Sequence, residues 1–144
     1  MRLWHKYLIG VLPRKQLLGQ WRECCLIAKN IAEKGTPNHL LVNKVMEYPI
    51  GHFFIYCESV YDKMCFRGFK CNPNKIMQYA DALGFDHTDT YGIYYPDIFS
   101  DWHDRRYLKQ CFYNLQEKYD CGGIDEKEWE ILRSRYQDLI SSEG

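Results

Sequence analysis

A helical stripe near the N-terminus constrains the fold more than any other feature of the sequence. At about 100° per residue, apolar side chains spaced by four and three residues lie on one side of an α-helix. Pro13 can begin this helix because it needs no amide partner there, and Gly35 can end it. We therefore predict a helix over about residues 13–34. The apolar positions of its stripe are Leu17, Trp21, Cys24, Ala28 and Ile31.

A carboxylate lies beside this stripe. On the helical wheel Glu23 falls near the edge of the apolar side, while Arg22 lies about 100° away. A carboxylate at such an edge can be half buried. Glu23 is therefore a candidate functional residue.

Apolar spacing and capping signals predict further helices along the chain. They cover about residues 37–47, 51–68, 72–84 and 101–119, and a last helix follows a capping box at residues 125–128. Thr36 and Ser100 are the predicted N-caps of the first and fourth of these. The helix over residues 51–68 is rich in aromatic residues, which suggests burial on more than one side. We predict an all-α fold, a single compact domain over residues 1–144 with five to six helices around this central helix.

The stretch between residues 85 and 99 is irregular, acidic and aromatic. Its tyrosines are able to stack on bases, as in single-strand binders, but its aspartates would repel phosphate. We expect this stretch to pack across the domain rather than to contact nucleic acid.

The cysteine pattern argues against a disulfide framework and a zinc site. The chain has seven cysteines, an odd number, and no Cys-x-x-Cys pair. We expect reduced cysteines that serve as small core residues. No metal or other cofactor is predicted.

Hydropathy indicates the cellular location, and the charge distribution indicates where a basic surface lies. No apolar run approaches the roughly 18 residues of a membrane span, and the lead-in at residues 7–12 is too short for a signal peptide, so we expect a cytoplasmic protein. The formal net charge is zero, but residues 1–35 carry seven Lys and Arg against two Glu, whereas residues 81–104 carry six Asp and no Lys or Arg. The basic charge is thus concentrated near the N-terminus. Solvation of helix faces accounts for Lys29 and Lys34 better than for the cations at residues 2–22.

Several short motifs, in order and spacing, resemble one family. An N-terminal Met-Arg is followed by Gln-Leu-Leu-Gly-Gln-Trp-Arg-Glu at residues 16–23, and then by Gly-His-Phe-Phe at 51–54. Arg-Gly-Phe at residues 67–69 and Asn-Leu-Gln-Glu-Lys at 114–118 complete the set. Together they resemble the pyrimidine-dimer DNA glycosylases of the phage endonuclease V type, over roughly residues 1–120.

The resemblance implies a catalytic pair. In that family a free N-terminal α-amine is the nucleophile, and a glutamate preceded by arginine on the first helix is its partner. Arg2 is too large for methionine removal, so we expect Met1 to be retained and its α-amine to be the nucleophile, with Glu23 as the partner. An α-amine suits this role because a fraction of it is neutral and nucleophilic near neutral pH. The resemblance and the basic charge also predict contacts with DNA from Arg2, Lys6, Arg14, Lys15, Gln16, Arg22 and Lys118.

The implied function is DNA repair. We expect an N-glycosylase with coupled AP lyase activity that acts, as a monomer, on double-stranded damaged DNA. The lesion stays open between a pyrimidine dimer, another modified pyrimidine and an abasic site, because Gln16, Leu26 and Asn114 replace a histidine and two arginines of the family prototype. The alternative is a non-catalytic helical module that binds DNA or protein. Two interpretations of His52 also stay open. It is either a satisfied buried histidine, with hydrogen-bond partners inside the protein, or a group that lines the pocket beneath the DNA.

Overall fold

Five α-helices make up the architecture in the computed structural model, which describes residues 1–90 and 92–142. No strand occurs in these residues, so the predicted all-α class is confirmed. In the same residues no helix is both long enough and apolar enough to cross a bilayer. The helices are α1 (Arg14–Lys34), α2 (Ile50–Phe66), α3 (Asn74–Ala82), α4 (Arg105–Asp120) and α5 (Glu126–Ser142).

Helix α1 follows the predicted stripe. All five apolar positions of the stripe are buried, and α1 packs with them against α2 and α3. Gly35 has a left-handed backbone, with φ of 77°, and its N–H donates to the carbonyl of Ile31 at 2.9 Å. A glycine takes this conformation without strain, which explains why the helix ends there.

Helix α2 is the central helix. Phe53 and Tyr56 have no exposed surface, and Phe54 and Met64 are also buried, so aromatic and aliphatic side chains leave α2 in several directions. The single compact domain around a central aromatic helix is therefore confirmed.

The predicted helix over residues 37–47 is wrong. Only residues Asn43–Glu47 form a short 3-10 turn, and Asn38 has a left-handed backbone with φ of 57°. The hydroxyl of Thr36 accepts the N–H of Asn38, and the side chain of Asn43 accepts the N–H of His39. Such local bonds between side chains and backbone compete with helical ones, so the segment forms a sequence of turns.

The predicted start of the helix over residues 101–119 is also wrong. Helix α4 begins at Arg105 rather than near residue 101. Its N-cap is Asp104 and not Ser100, because the Asp104 side chain accepts the N–H of Tyr107 at 2.9 Å. Before it, Phe99 has φ of 51°, and the turn that follows buries Trp102 and His103 together. The Asp104 carboxylate satisfies an otherwise unpaired N–H of the first turn, so the helix begins directly after Asp104.

The stretch before α4 packs across the domain, as expected, through Ile98 and Phe99, which have no exposed surface. Tyr91, one of the tyrosines considered for base stacking, lies outside the described residues. At the start of α5 the predicted cap is present, since Asp125 accepts the N–H of Glu128 at 2.8 Å.

All seven cysteines are free, which agrees with the expectation of reduced thiols. Their assignment to the core holds for Cys24, Cys57 and Cys111, which are buried. It is wrong for Cys65 and Cys121, which are exposed.

Candidate active site

The N-terminal segment, residues 1–8, lies across the core and is held there by side chains from distant parts of the chain. Leu3, Trp4 and Leu8 are buried in the core, and the intervening backbone groups bond to side chains of α1, α2 and α4. Residues 1–5 of this segment belong to no helix, so their backbone groups need other partners, and these side chains supply them. The start of the chain is consequently fixed in position.

Glu23 contacts the first peptide unit. Its Oε2 accepts the backbone N–H of Arg2 at 3.1 Å, in a partly buried setting at the edge of the α1 stripe. Three covalent bonds separate this amide nitrogen from the α-amine of Met1, so the two nitrogens lie within about 4 Å of each other. The structure therefore brings together the two residues that the sequence proposes as nucleophile and partner.

Gln20 fixes the same segment one turn earlier on α1. The side chain is 1% exposed; its Oε1 accepts the N–H of Trp4 at 2.8 Å and its Nε2 donates to the carbonyl of Arg2 at 3.0 Å. The hydroxyl of Tyr56, from α2, bonds to the carbonyl of Trp4 at 2.6 Å and to Oε1 of Gln20 at 3.0 Å. Complete burial raises the pKa of Tyr56 well above its usual value, so the hydroxyl stays protonated and able to donate.

Tyr107 holds the segment from α4. Its hydroxyl donates to the carbonyl of Leu3 at 2.7 Å, and burial raises its pKa. The guanidinium of Arg2 lies 5.5 Å from the ring centre of Trp4 and 5.8 Å from that of Tyr107. Cation–π contact with two rings orients the Arg2 side chain next to the start of the chain.

A buried histidine pair completes the support. His5 and His103 stack with ring centres 5.2 Å apart, and Nδ1 of His103 accepts the N–H of Lys6 at 3.0 Å. Burial lowers the pKa of His5 to about 4 and that of His103 well below its usual value. Both imidazoles are therefore neutral at physiological pH.

Lys6 is placed differently from the expectation. The residue is 4% exposed, and its ammonium donates to the carbonyls of Pro96 and, at 2.6 Å, of Ile98. Burial lowers its pKa. An ammonium that is enclosed by carbonyls inside the protein is not positioned to contact a phosphate, so the predicted DNA contact of Lys6 is wrong.

The other predicted DNA contacts lie on the surface near α1 or at a distance from it. Arg14, Lys15 and Arg22 are exposed on α1, and Gln16 is half-buried with its Oε1 enclosed and unpartnered. Lys118 is exposed in the last turn of α4. It lies 11 positions beyond Tyr107, or roughly 16 Å along the helix.

His52 is half-buried, and its Nδ1 accepts the N–H of Phe99 at 3.1 Å, beside the ring of Tyr48. This is the satisfied histidine of the first interpretation. Burial lowers its pKa.

A surface cleft adjoins the start of the chain. Its volume is about 620 Å³, which is within the range of ligand sites, and Arg2 and Tyr107 are among the residues that line it. Lys44 and Arg106 add two more cations, and Asp101 and Asp104 contribute carboxylates. Sequence reasoning did not single out Lys44 or Arg106, because only the fold brings residues 44 and 106 next to residue 2.

Sequence reasoning also missed Gln20, Tyr56, Tyr107 and His103. Gln20 alone carried a signal, since it interrupts the apolar stripe of α1 as a polar residue between Leu17 and Cys24. A polar side chain on a core-facing stripe must find a partner. The partners of the others lie more than 50 positions away in the sequence and have no local signature.

Comparison with known proteins identifies the family of the chain. A family model described as pyrimidine dimer DNA glycosylase matches residues 1–77, which carry the N-terminal segment, α1 and α2. The chain therefore belongs to the pyrimidine dimer DNA glycosylase family, whose substrate is DNA. Neither the curated proteins nor the solved structures give a match.

Proposed function

We propose that this protein is a DNA repair N-glycosylase with coupled AP lyase activity, acting on pyrimidine dimers or another damaged pyrimidine in duplex DNA. The observation that carries the proposal is the contact between the Glu23 carboxylate and the Arg2 amide, next to the Met1 α-amine. An amine and a carboxylate at this separation can act on the same sugar carbon. Membership of the family supports DNA as the substrate.

The α-amine of Met1 begins the reaction in its neutral form. Its lone pair attacks C1′ of the damaged nucleotide, the N-glycosidic bond breaks, and the base leaves with the electron pair and takes up a proton. The nitrogen, now bonded to C1′, gives up one proton; its lone pair then forms a protonated imine with C1′ as the C1′–O4′ bond opens and O4′ gains a proton. Loss of a proton from C2′ expels the 3′ phosphate by β-elimination and cuts the strand.

Glu23 serves two steps of this sequence. Its negative charge stabilises the positive charge that develops on the sugar as the base departs. It then moves protons during ring opening and β-elimination, as a general acid and base. Gln20, Tyr56 and Tyr107 fix the N-terminal segment and so hold the amine and the carboxylate at a constant separation. The reaction then does not lose the entropy that ordering a mobile chain terminus would cost.

The exposed cations hold the duplex. We assign phosphate contacts to Arg2, Arg14, Lys15 and Arg22, with Gln16 beside them; these position the DNA without reading its sequence. Lys118, exposed in the last turn of α4, contacts the backbone farther along the duplex.

Borohydride trapping tests the proposal. The protein is incubated with an irradiated duplex and, in parallel, with a duplex that holds one abasic site, and borohydride reduces any imine to a stable adduct. Adducts on both duplexes support a dimer glycosylase with lyase activity. An adduct on the abasic duplex alone retains the amine mechanism but rejects the dimer as substrate, and no adduct on either duplex supports the non-catalytic module instead.

A further inference from the structure

An apolar tip projects from the wall of the cleft beside Arg2. Leu40 is 87% exposed and Leu41 is 53% exposed, and both line the cleft. Isolated exposed leucines are common on protein surfaces, but an almost fully exposed leucine next to a cationic cleft calls for a partner.

The tip is built rigidly. Asn43 accepts the N–H of His39, and the carbonyl of His39 accepts the N–H groups of Val42 and Asn43. The ring of His39 accepts the N–H of Leu41 at 3.2 Å. Val42, directly after the leucines, has no exposed surface.

These bonds use the polar groups on the inner side of the turn and leave the leucines outside. The local hydrogen bonds and the buried Val42 hold the turn in place with Leu40 exposed to solvent. Such a rigid turn loses little conformational entropy when the leucine is later buried against a partner.

The charges around the tip indicate the partner. Arg2, Lys44 and Arg106 line the same cleft, and both Lys44 and Arg106 are exposed. Asp101 and Asp104 also line the cleft, Asp104 as the N-cap of α4, so three cations stand against two carboxylates. The balance is cationic, which fits a phosphate backbone better than a protein surface.

We propose that Leu40, supported by Leu41, is a wedge that inserts between base pairs of duplex DNA while Lys44 and Arg106 contact the flanking phosphates. This rests on the proposed function, since the wedge lies in the cleft that Arg2, the residue after the proposed nucleophile, also lines, but it names residues outside the catalytic pair. Apolar side chains that enter a base step unstack it and bend the duplex. The bend exposes the sugar carbon that the amine must reach, and a damaged step costs the least to unstack.

The test separates wedge insertion from chemistry. The duplex carries a tetrahydrofuran abasic analogue, which forms no imine, next to a 2-aminopurine whose fluorescence rises when it is unstacked. We expect the wild-type protein to raise the fluorescence, and Leu40→Ala to abolish the rise and to weaken binding about tenfold. Leu40→Met, which keeps an apolar side chain of similar length, restores both.

Ile131→Ala is the matched control, because Ile131 is 51% exposed but lies on α5 outside the cleft. It should behave as wild type. Thermal unfolding of each variant verifies that the fold is intact, as expected for an exposed side chain.

A second comparison uses borohydride trapping on a single-stranded abasic oligonucleotide. With no base pairs to separate, Leu40→Ala should form adduct as fast as the wild-type protein. An unchanged fluorescence rise and affinity in Leu40→Ala would overturn the wedge and assign the tip to a protein partner. An equal loss on single-stranded and duplex DNA would overturn it as well. Absence of any wild-type adduct, with the fluorescence rise intact, would reject the proposed chemistry and leave the wedge standing.

Discussion

The carboxylate of Glu23 accepts the backbone N–H of Arg2 at 3.1 Å, although 21 positions separate the two residues. This contact links the first helix to the first peptide bond of the chain. It places an acid–base group beside the Met1 α-amine, with the intervening backbone fixed by Gln20. The proposed catalytic pair depends on this one relationship.

Replacement of Glu23 by Gln should remove activity and keep the fold. The amide keeps an oxygen for the Arg2 N–H but carries no charge to stabilise the sugar and moves no protons. We expect strand cleavage of an abasic duplex to slow by about 100-fold or more, with a melting temperature close to that of the wild type. Glu33→Gln, an exposed glutamate of the same helix, is the control and should cleave normally. Equal activity of both variants would remove Glu23 from the mechanism.

Gln20 should act as a positioning residue. In Gln20→Leu the N–H of Trp4 and the carbonyl of Arg2 lose their partner in a buried setting, so stability should fall by roughly 2 kcal/mol or more in urea unfolding. The turnover of the remaining folded protein should also fall, while its affinity for duplex DNA stays within about twofold, because the exposed cations are unchanged. Gln78→Leu, at an exposed position on α3, should change neither. Normal turnover in Gln20→Leu would show that the bonds serve folding alone.

The histidine pair should make stability depend on pH. Burial holds the pKa of folded His5 at about 4, below its ordinary 6.5, so between these values the unfolded chain binds a proton that the folded chain does not. The stabilisation is complete above pH 6.5 and is lost as the pH falls towards 4. Urea unfolding at pH 7 and pH 4.5 should show a decrease of roughly 2 to 3 kcal/mol from this group.

The double variant His5→Gln, His103→Asn separates this effect from the titration of carboxylates, which both proteins share. Its free energy of unfolding should fall less steeply between the same two pH values. Parallel pH profiles for the variant and the wild type would contradict the assignment.

The salt dependence of DNA binding should distinguish Arg22 from Lys6. Arg22→Ala removes an exposed cation that we assign to a phosphate, so the slope of log Kobs against log salt should become shallower by about one. Lys6→Met removes a buried cation, so it should leave the slope unchanged while it destabilises the fold, because two carbonyls lose their donor. A shallower slope in Lys6→Met would return Lys6 to the DNA surface.

Local sequence pattern was sufficient to predict the helices with a strong stripe or cap. The α1 stripe, its end at Gly35 and the cap at Asp125 all follow from spacing and residue type. The same reasoning failed at residues 37–47, where the side chains of Thr36 and Asn43 bond to the backbone instead of capping a helix.

The candidate site was predicted in part. Glu23 stood out by its position on the wheel, but burial of Lys6 depends on the carbonyls of Pro96 and Ile98, about 90 positions away. Nothing in the residues around Lys6 distinguishes a buried ammonium from one that faces DNA. The cleft likewise exists only because the fold joins residues 2, 40–44 and 101–110.

The most direct test of the central claim is to identify the atom that carries the DNA. The borohydride-reduced adduct on an abasic duplex is digested, and mass spectrometry locates the modified peptide; a protein acetylated at its N-terminus is treated in parallel. We predict an adduct on the α-amine of Met1, and none with the acetylated protein. An adduct on a lysine side chain, or one that survives acetylation, would contradict the account.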